Sequence, residues 1–299
     1  MTGALADDDV EIEIEGAQET AHGAARGVAA IGRVTAAGAR AAALVDRRVL
    51  VGPIDPCGEC EICRRGGAAV CPRARRREAA GAAAGDPPRR LVAAARWLVP
   101  LEGGLELAAP AGAAAAGDAA VAYTLYARTG IGPREPTVVV GASPIARFLV
   151  EILRAKGAAP VVVVDPAHAA WAAWLAGRGA AVARAGADAD DDEVRAAVAA
   201  ELAAHGAGAR PWRVLAATRE AVPRAAALAG PRATLTLLAP VPDLPGDLVA
   251  REVTVIGVVG AHPDLVVEVA AMCQKGEIDL VDGTAAAPDD VMRAVVRRP

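Results

Sequence analysis

Four cysteines fall within fifteen residues, Cys57, Cys60, Cys63 and Cys71, in the string C-G-E-C-E-I-C-R-R-G-G-A-A-V-C. The spacing C-x2-C-x2-C-x7-C lets consecutive thiolates converge on one ion, and four sulfurs complete a tetrahedral zinc shell. A shell closed by four protein ligands leaves no position for water or substrate, so the expected ion is structural. Gly58, Gly66 and Gly67 supply the tight turns that wrapping a loop around a metal requires. Two other readings share the ligand set: an iron–sulfur cluster, and four reduced thiols with no ion. Five cysteines is an odd number, and their clustering argues for metal in a reducing compartment rather than a disulfide scaffold. The fifth, Cys273, stands alone beside Met272 and is expected to be a buried helix residue.

At 299 residues one compact core is near its upper limit, so two domains are expected. Hydrophobic residues make up 54% and charged residues 23%, which excludes a disordered chain. Aromatics are only 2%, so alanine and valine must build most of the core. A formal net charge of -4 argues against a nucleic-acid binder, which carries a basic excess. The acidic start, Asp7-Asp8-Asp9, is unlike a secretory signal, and no apolar run is long enough to span a membrane. The expectation is a soluble, cytoplasmic protein.

Val10-Glu11-Ile12-Glu13-Ile14-Glu15 alternates apolar and acidic side chains, the period of a half-exposed strand. Short β-branched pieces follow at 31–34 and 49–51. Residues 72–90 are rich in Arg, Ala and Gly without period and read as a solvated loop, whose arginines offer a basic patch as the alternative. Beyond residue 117 the pattern changes. Apolar strands at 137–140, 160–164, 180–182, 213–216, 234–238 and 253–259 alternate with helical segments. That alternation means a parallel sheet covered on both faces. The acidic run 188–192 is placed to cap a helix over 193–205. The domain boundary is expected near Gly117, and no internal repeat is present.

Val51-Gly-Pro-Ile-Asp-Pro-Cys-Gly-Glu-Cys-Glu-Ile-Cys-Arg-Arg-Gly66 resembles the structural-zinc lobe of zinc-containing alcohol dehydrogenases, in the medium-chain dehydrogenase/reductase superfamily. Gly32-Arg33-Val34 and Val45-Asp46-Arg47 resemble the lead into that lobe, residues 123–146 the entry to the nucleotide-binding domain, and residues 251–257 its last sheet strand. The resemblance implies an α/β protein: a GroES-like β-rich domain over 1–117 with its zinc lobe at 57–71, and a Rossmann domain with a doubly wound parallel sheet over 118–299. It also implies a C-terminal segment shorter than the family's.

Gly141-Ala-Ser-Pro-Ile-Ala146 follows a strand and opens a helix, where a dinucleotide fingerprint belongs. Of the three glycines in G-x-G-x-x-G only Gly141 is present. Ser143 takes the second place, adding a side chain where phosphates sit, and Ala146 the third. Asp165 ends the next strand, placed to accept hydrogen bonds from both ribose hydroxyls and to repel a 2′-phosphate, which selects NAD(H) over NADP(H). Gly141, Ser143, Pro144, Ile145 and Asp165 are therefore the expected cofactor contacts. The alternative is a Rossmann fold that no longer binds nucleotide.

Active relatives in the resembled family carry a second, catalytic zinc that polarises the substrate oxygen. Aligned on the flanking strands, its three ligand positions fall near 17–20, on Gly27-Val28-Ala29 and near Gly117-Asp118. At the third position Asp118 can ligate zinc, but one carboxylate cannot hold the metal. His22, nearby in a shortened segment, is a displaced ligand or, as expected, an exposed loop histidine. The sequence nominates no catalytic residue. Two functions follow. One is an oxidoreductase passing hydride between NAD(H) and a small molecule without catalytic zinc, with Tyr123, Thr124 or Tyr126 as hydrogen-bond donors to a developing enolate. The other is a pseudoenzyme with a structural or regulatory role and a protein partner. The resemblance further implies a homodimer paired through residues 253–259.

Overall fold

The computed structural model describes residues 5–22, 25–76, 89–101, 106–164, 168–184, 189–206, 210–238, 241, 243–279 and 296–297. By contact the chain divides into two compact units. The first comprises Met1–Val121, Val259–Val281 and Ala294–Pro299, and the second Ala122–Val258 with Asp282–Arg293. The passage from one to the other thus lies four residues beyond Gly117, and the segment from Val259 groups with the first unit rather than with the second.

The first unit is built on antiparallel strands β1 (Asp9–His22), β2 (Ala25–Ala37), β3 (Arg48–Val51), β6 (Arg90–Ala94) and β7 (Leu98–Pro100), with the short β14 (Val296–Arg297) beside β1. The two-residue strands β4 (Ile54–Asp55) and β5 (Arg75–Arg76) pair separately. Along β1 the expected alternation holds: Val10, Ile12 and Ile14 are buried, and the intervening glutamates are not. At Gly16 the register shifts and burial becomes continuous through Ala17 and Gln18. Helix α2 (Ala109–Ala116) lies there, and its composition explains how. A Cβ on Gly16 would sit 2.7 Å from the Ala109 carbonyl oxygen, and one on Gly112 would sit 2.3 Å from Ile31 Cδ1. An Ala/Gly helix can rest on the sheet at this spacing; a helix of larger side chains cannot. Among the described residues this unit also carries the α-helices α1 (Glu61–Arg64), α3 (Asp118–Thr129) and α9 (Val266–Gln274), α3 continuing into the second unit. Cys273 falls in α9 but is half-buried rather than fully buried, because α9 keeps one face in solvent.

The second unit is a parallel sheet of β8 (Pro136–Val140), β9 (Ala159–Val164), β10 (Ala181–Arg184), β11 (Arg213–Ala216), β12 (Thr234–Leu237) and β13 (Thr254–Gly257), in the order β10-β9-β8-β11-β12-β13. Renumbered from its own first strand the order is 3-2-1-4-5-6, the doubly wound Rossmann arrangement. Helices α4 (Pro144–Ala155), α5 (Ala169–Gly177), α6 (Asp191–Ala204), α7 (Val222–Leu228) and α8 (Asp247–Ala250) connect the strands. Each of the six sequence-expected strands is present. The acidic run does cap α6: Asp190 Oδ1 accepts from the amides of Asp192 at 2.9 Å and Glu193 at 2.8 Å. Of the Arg-rich stretch 72–90, residues 77–88 lie outside the described residues.

Helix α4, which carries the fingerprint residues, is held by ionic and cation–π contacts. The buried Arg147 guanidinium lies 4.7 Å from the Phe148 ring and 5.2 Å from Trp174, while Arg178 covers Trp174 at 4.1 Å and donates to Glu151 at 3.2 Å.

The close seat of α2 yields a packing test. Gly112→Val should destabilise the first unit by about 2 kcal/mol through overpacking against Ile31. Denaturant unfolding should show this as a lower midpoint, and an unchanged midpoint would refute direct helix–sheet contact at Gly112.

Candidate functional site

The cysteine lobe is assembled by backbone turns. Gly58 and Gly66 adopt φ of +74° and +79°, conformations that side chains disfavour, and a Cβ on Gly67 would lie 2.7 Å from Ile62 Cγ2. Cys60 caps α1, its sulfur accepting from the Cys63 amide at 3.4 Å. The sulfur of Cys57 accepts from the Cys60 amide, and that of Cys71 from the Cys57 amide, each at 3.4 Å. The four Sγ atoms all lie within 4.8 Å of one another, with separations of 3.6 Å for Cys57–Cys71, 3.9 Å for Cys60–Cys71 and 4.0 Å for Cys57–Cys63. Thiolates about 2.3 Å from a zinc ion at the centre of a regular tetrahedron stand about 3.8 Å apart, so the donor set fits that ion.

The electrostatics also suit a metal. Backbone amides, that of Glu59 foremost, hold the Cys57 thiol down at about 6 against the opposing effect of burial. The Cys63 amide likewise lowers Cys60. Burial, with help from the neighbouring Cys60, pushes Cys63 up to about 12. A cation among the four offsets the cost of ionising them together. The lobe is fastened to its surroundings by Arg96, which donates to the Cys57 carbonyl at 2.7 Å, by Trp97 Nε1 to the Pro56 carbonyl at 2.6 Å, and by His262 Nε2 to the Gly66 carbonyl at 2.6 Å. His262 carries no mark of this role in the sequence, because its partner is a backbone atom 196 positions away.

The residues expected to contact a nucleotide, Gly141, Ser143, Pro144 and Ile145, sit at the switch point of the parallel sheet, where neighbouring connections leave in opposite directions and ligands bind outside the carboxyl ends of the strands. Strands β8 and β11 are adjacent there, with Val140 opposite Ala216. Gly141 follows with φ +103°, and a Cβ on it would lie 3.0 Å from Ala221 Cβ and 3.1 Å from Thr218 Oγ1. Glycine is required at this turn. Ser143 is the N-cap of α4: its hydroxyl oxygen accepts from the Ala146 amide at 3.1 Å and donates to the Ala217 carbonyl at 3.3 Å. Pro144 and Ile145 begin the helix. Asp165 lies outside the described residues.

A cavity of about 420 Å³ opens here, walled by Val140, Gly141, Val163 and Ala221, with His168, Thr218, Glu220 and Arg224 as its polar lining. Nothing in the sequence assigns a role to His168, and Thr218, Glu220 and Arg224 are not marked by any motif. The recoverable signal was positional: Thr218, Glu220 and Arg224 follow the fourth sheet strand, across the switch point from Gly141.

The ligand positions that the resemblance would assign to a second zinc also acquire a geometry. Gln18 Nε2 donates to Asp118 Oδ2 at 2.5 Å, and Gln18 Oε1 accepts from the Asp118 amide at 3.4 Å. Both residues are buried, as is Val28. The His22 side chain lies outside what the structure describes. Of the expected hydrogen-bond donors, Tyr123 has its ring 5.7 Å from Lys156 Nζ and edge-on to Tyr126 at 5.6 Å. Lys156 is the C-cap of α4, at the opposite end of that helix from Ser143. Thr124 is buried within α3.

No protein-family model matches this sequence, and no curated protein matches it. Solved structures do match the fold. Galactitol-1-phosphate dehydrogenase from Escherichia coli is 16% identical, over 95% of this chain and 86% of its own, with a TM-score of 0.75. Alcohol dehydrogenase TADH from Thermus sp. ATN1 is also 16% identical over 95% and 86%, with a TM-score of 0.76. An enzyme from E. coli CFT073, described as a short chain alcohol dehydrogenase and complexed with NADH, is 18% identical over 93% and 84%, with a TM-score of 0.72. The fold is that of the zinc-dependent alcohol dehydrogenase-like medium-chain enzymes, a β-rich unit and a Rossmann unit.

Purified protein should contain about one zinc ion per chain by elemental analysis, and Cys71→Ser should lose it. Iron in place of zinc, or no metal in the unaltered protein, would overturn the assignment.

Proposed function

We propose that this protein is an alcohol-dehydrogenase-like oxidoreductase that uses NAD(H), keeps a structural zinc on Cys57, Cys60, Cys63 and Cys71, and works without a catalytic zinc. The observation that carries the reading is the open crevice at the β8–β11 switch point, entered by a turn that only Gly141 can make. Gly141, Ser143, Pro144 and Ile145 would meet the cofactor there, with Asp165 on the ribose. When bound, the cofactor supplies or accepts a hydride. The chain's own part is to orient the nucleotide and shield it from water.

Support for the missing catalytic metal comes from Gln18 and Asp118. A carboxamide and a carboxylate committed to each other, with aliphatic Val28 at the third position, are a poor donor set for zinc. An activated alkene or quinone, which accepts hydride without a Lewis acid, is the substrate class this favours. The same clasp favours a second reading, a catalytically silent relative whose scaffold binds another protein.

Steady-state assays distinguish the two. NADH oxidation with enones or quinones, saturable and insensitive to chelators, is the expected result. Absence of turnover across a panel of such acceptors would leave the silent relative.

A homodimer formed through β13 belongs to the same proposal. This strand pairs with β12 on one side, no described strand covers its other edge, and Val255 on it is 40% exposed. Strand-to-strand pairing across a two-fold axis would satisfy that edge. Light scattering should report twice the chain mass, reduced to the chain mass by Val255→Pro; a monomer in the unaltered protein would refute the pairing. Four reduced thiols suit a cytoplasmic location, and no helix among the described residues is long and apolar enough to cross a membrane.

A further inference from the structure

The start of α4 is already supplied with what a phosphate would bring. A helix N-terminus binds phosphate because its first amides lack partners inside the helix and point at the ligand. In α4, Pro144 occupies the first position and has no N–H. The Ala146 amide is taken by Ser143 Oγ at 3.1 Å. Of the amides at 144–146, these two features leave Ile145 to meet a ligand. The serine oxygen is well seated, since Ser143 is 7% exposed and its hydroxyl is anchored to the Ala217 carbonyl across the switch point. Moving it aside to admit a phosphate would break both bonds and strand a buried hydroxyl.

The cavity beside this turn is differently equipped. Val140, Val163 and Ala221 give apolar wall against which a purine can lie, and Thr218, Glu220, Arg224 and His168 give hydrogen-bonding groups for the base edge and ribose.

We infer that Ser143 stands in for a phosphate oxygen at the head of α4, so that this crevice grips its ligand by the nucleoside half and gains little from the pyrophosphate. The inference rests on the reading that the crevice takes an adenine dinucleotide, and it assigns Ser143 as the residue that sets affinity there. Such a site holds its dinucleotide loosely and accepts adenosine nearly as well.

Calorimetric titration of adenosine, ADP-ribose and NADH into the full-length protein tests this. The three dissociation constants should agree within about threefold. Ser143→Gly, which keeps an acceptable helix cap, should tighten ADP-ribose and NADH by about tenfold or more and leave adenosine unchanged. Ser143→Thr, which retains the hydroxyl, should behave as the unaltered protein. The inference is overturned if ADP-ribose binds the unaltered protein more than tenfold tighter than adenosine, or if Ser143→Gly leaves NADH unchanged or weaker; the oxidoreductase reading survives both. Adenosine binding with no NADH oxidation by either protein removes that reading and keeps the inference. Failure of all three ligands on both proteins removes both.

Discussion

A core made of alanine and β-branched side chains has little bulk with which to fill gaps, so its layers must come close together, and glycine decides where they do. In the first unit, α2 reaches the sheet because Gly16 and Gly112 leave nothing between helix and strands. In the second unit, Gly141 lets the chain turn at the end of β8 against Ala221 and Thr218. Close packing of small groups recovers the dispersion contacts that larger side chains would otherwise supply. The crevice lies where this packing gives out, at the one place in the parallel sheet where neighbouring connections diverge.

Features encoded by local spacing were legible in the sequence. The cysteine pattern gave its ligand set because three of the four thiols are separated by two residues, and the loop needs no distant partner to bring them together. The strands of the Rossmann unit were legible because both faces are buried, leaving uninterrupted runs such as Val161, Val162 and Val163. Strand β1 was read as six residues and is 14. Past Gly16 its exposed face is covered by α2, and the alternation that marked it disappears.

Pairings across long separations were not legible. Gln18 and Asp118 are 100 positions apart, and neither residue type announces a partner. Ser143 was legible as a departure from glycine but not as a cap. Its effect depends on the Ala146 amide and on the Ala217 carbonyl, which the fold brings beside it from another strand. The same substitution can obstruct a ligand in two distinct ways: by projecting into its space, or by satisfying the donors it would use. Here the hydroxyl is turned inward, onto the Ala146 amide and the Ala217 carbonyl.

The tie between His262 and the cysteine lobe has a consequence for how this protein tolerates change. A carbonyl only accepts hydrogen bonds, so Nε2 must be the protonated ring nitrogen, and the acceptor is main chain at Gly66. Every residue type presents that oxygen. Replacement of side chains elsewhere in the lobe therefore cannot delete the acceptor, provided the turn at Gly66 keeps its φ of +79°. The vulnerability of this one tie is concentrated at the histidine and the turn, and exposed side chains elsewhere in the lobe can diverge while its attachment to the segment beginning at Val259 persists.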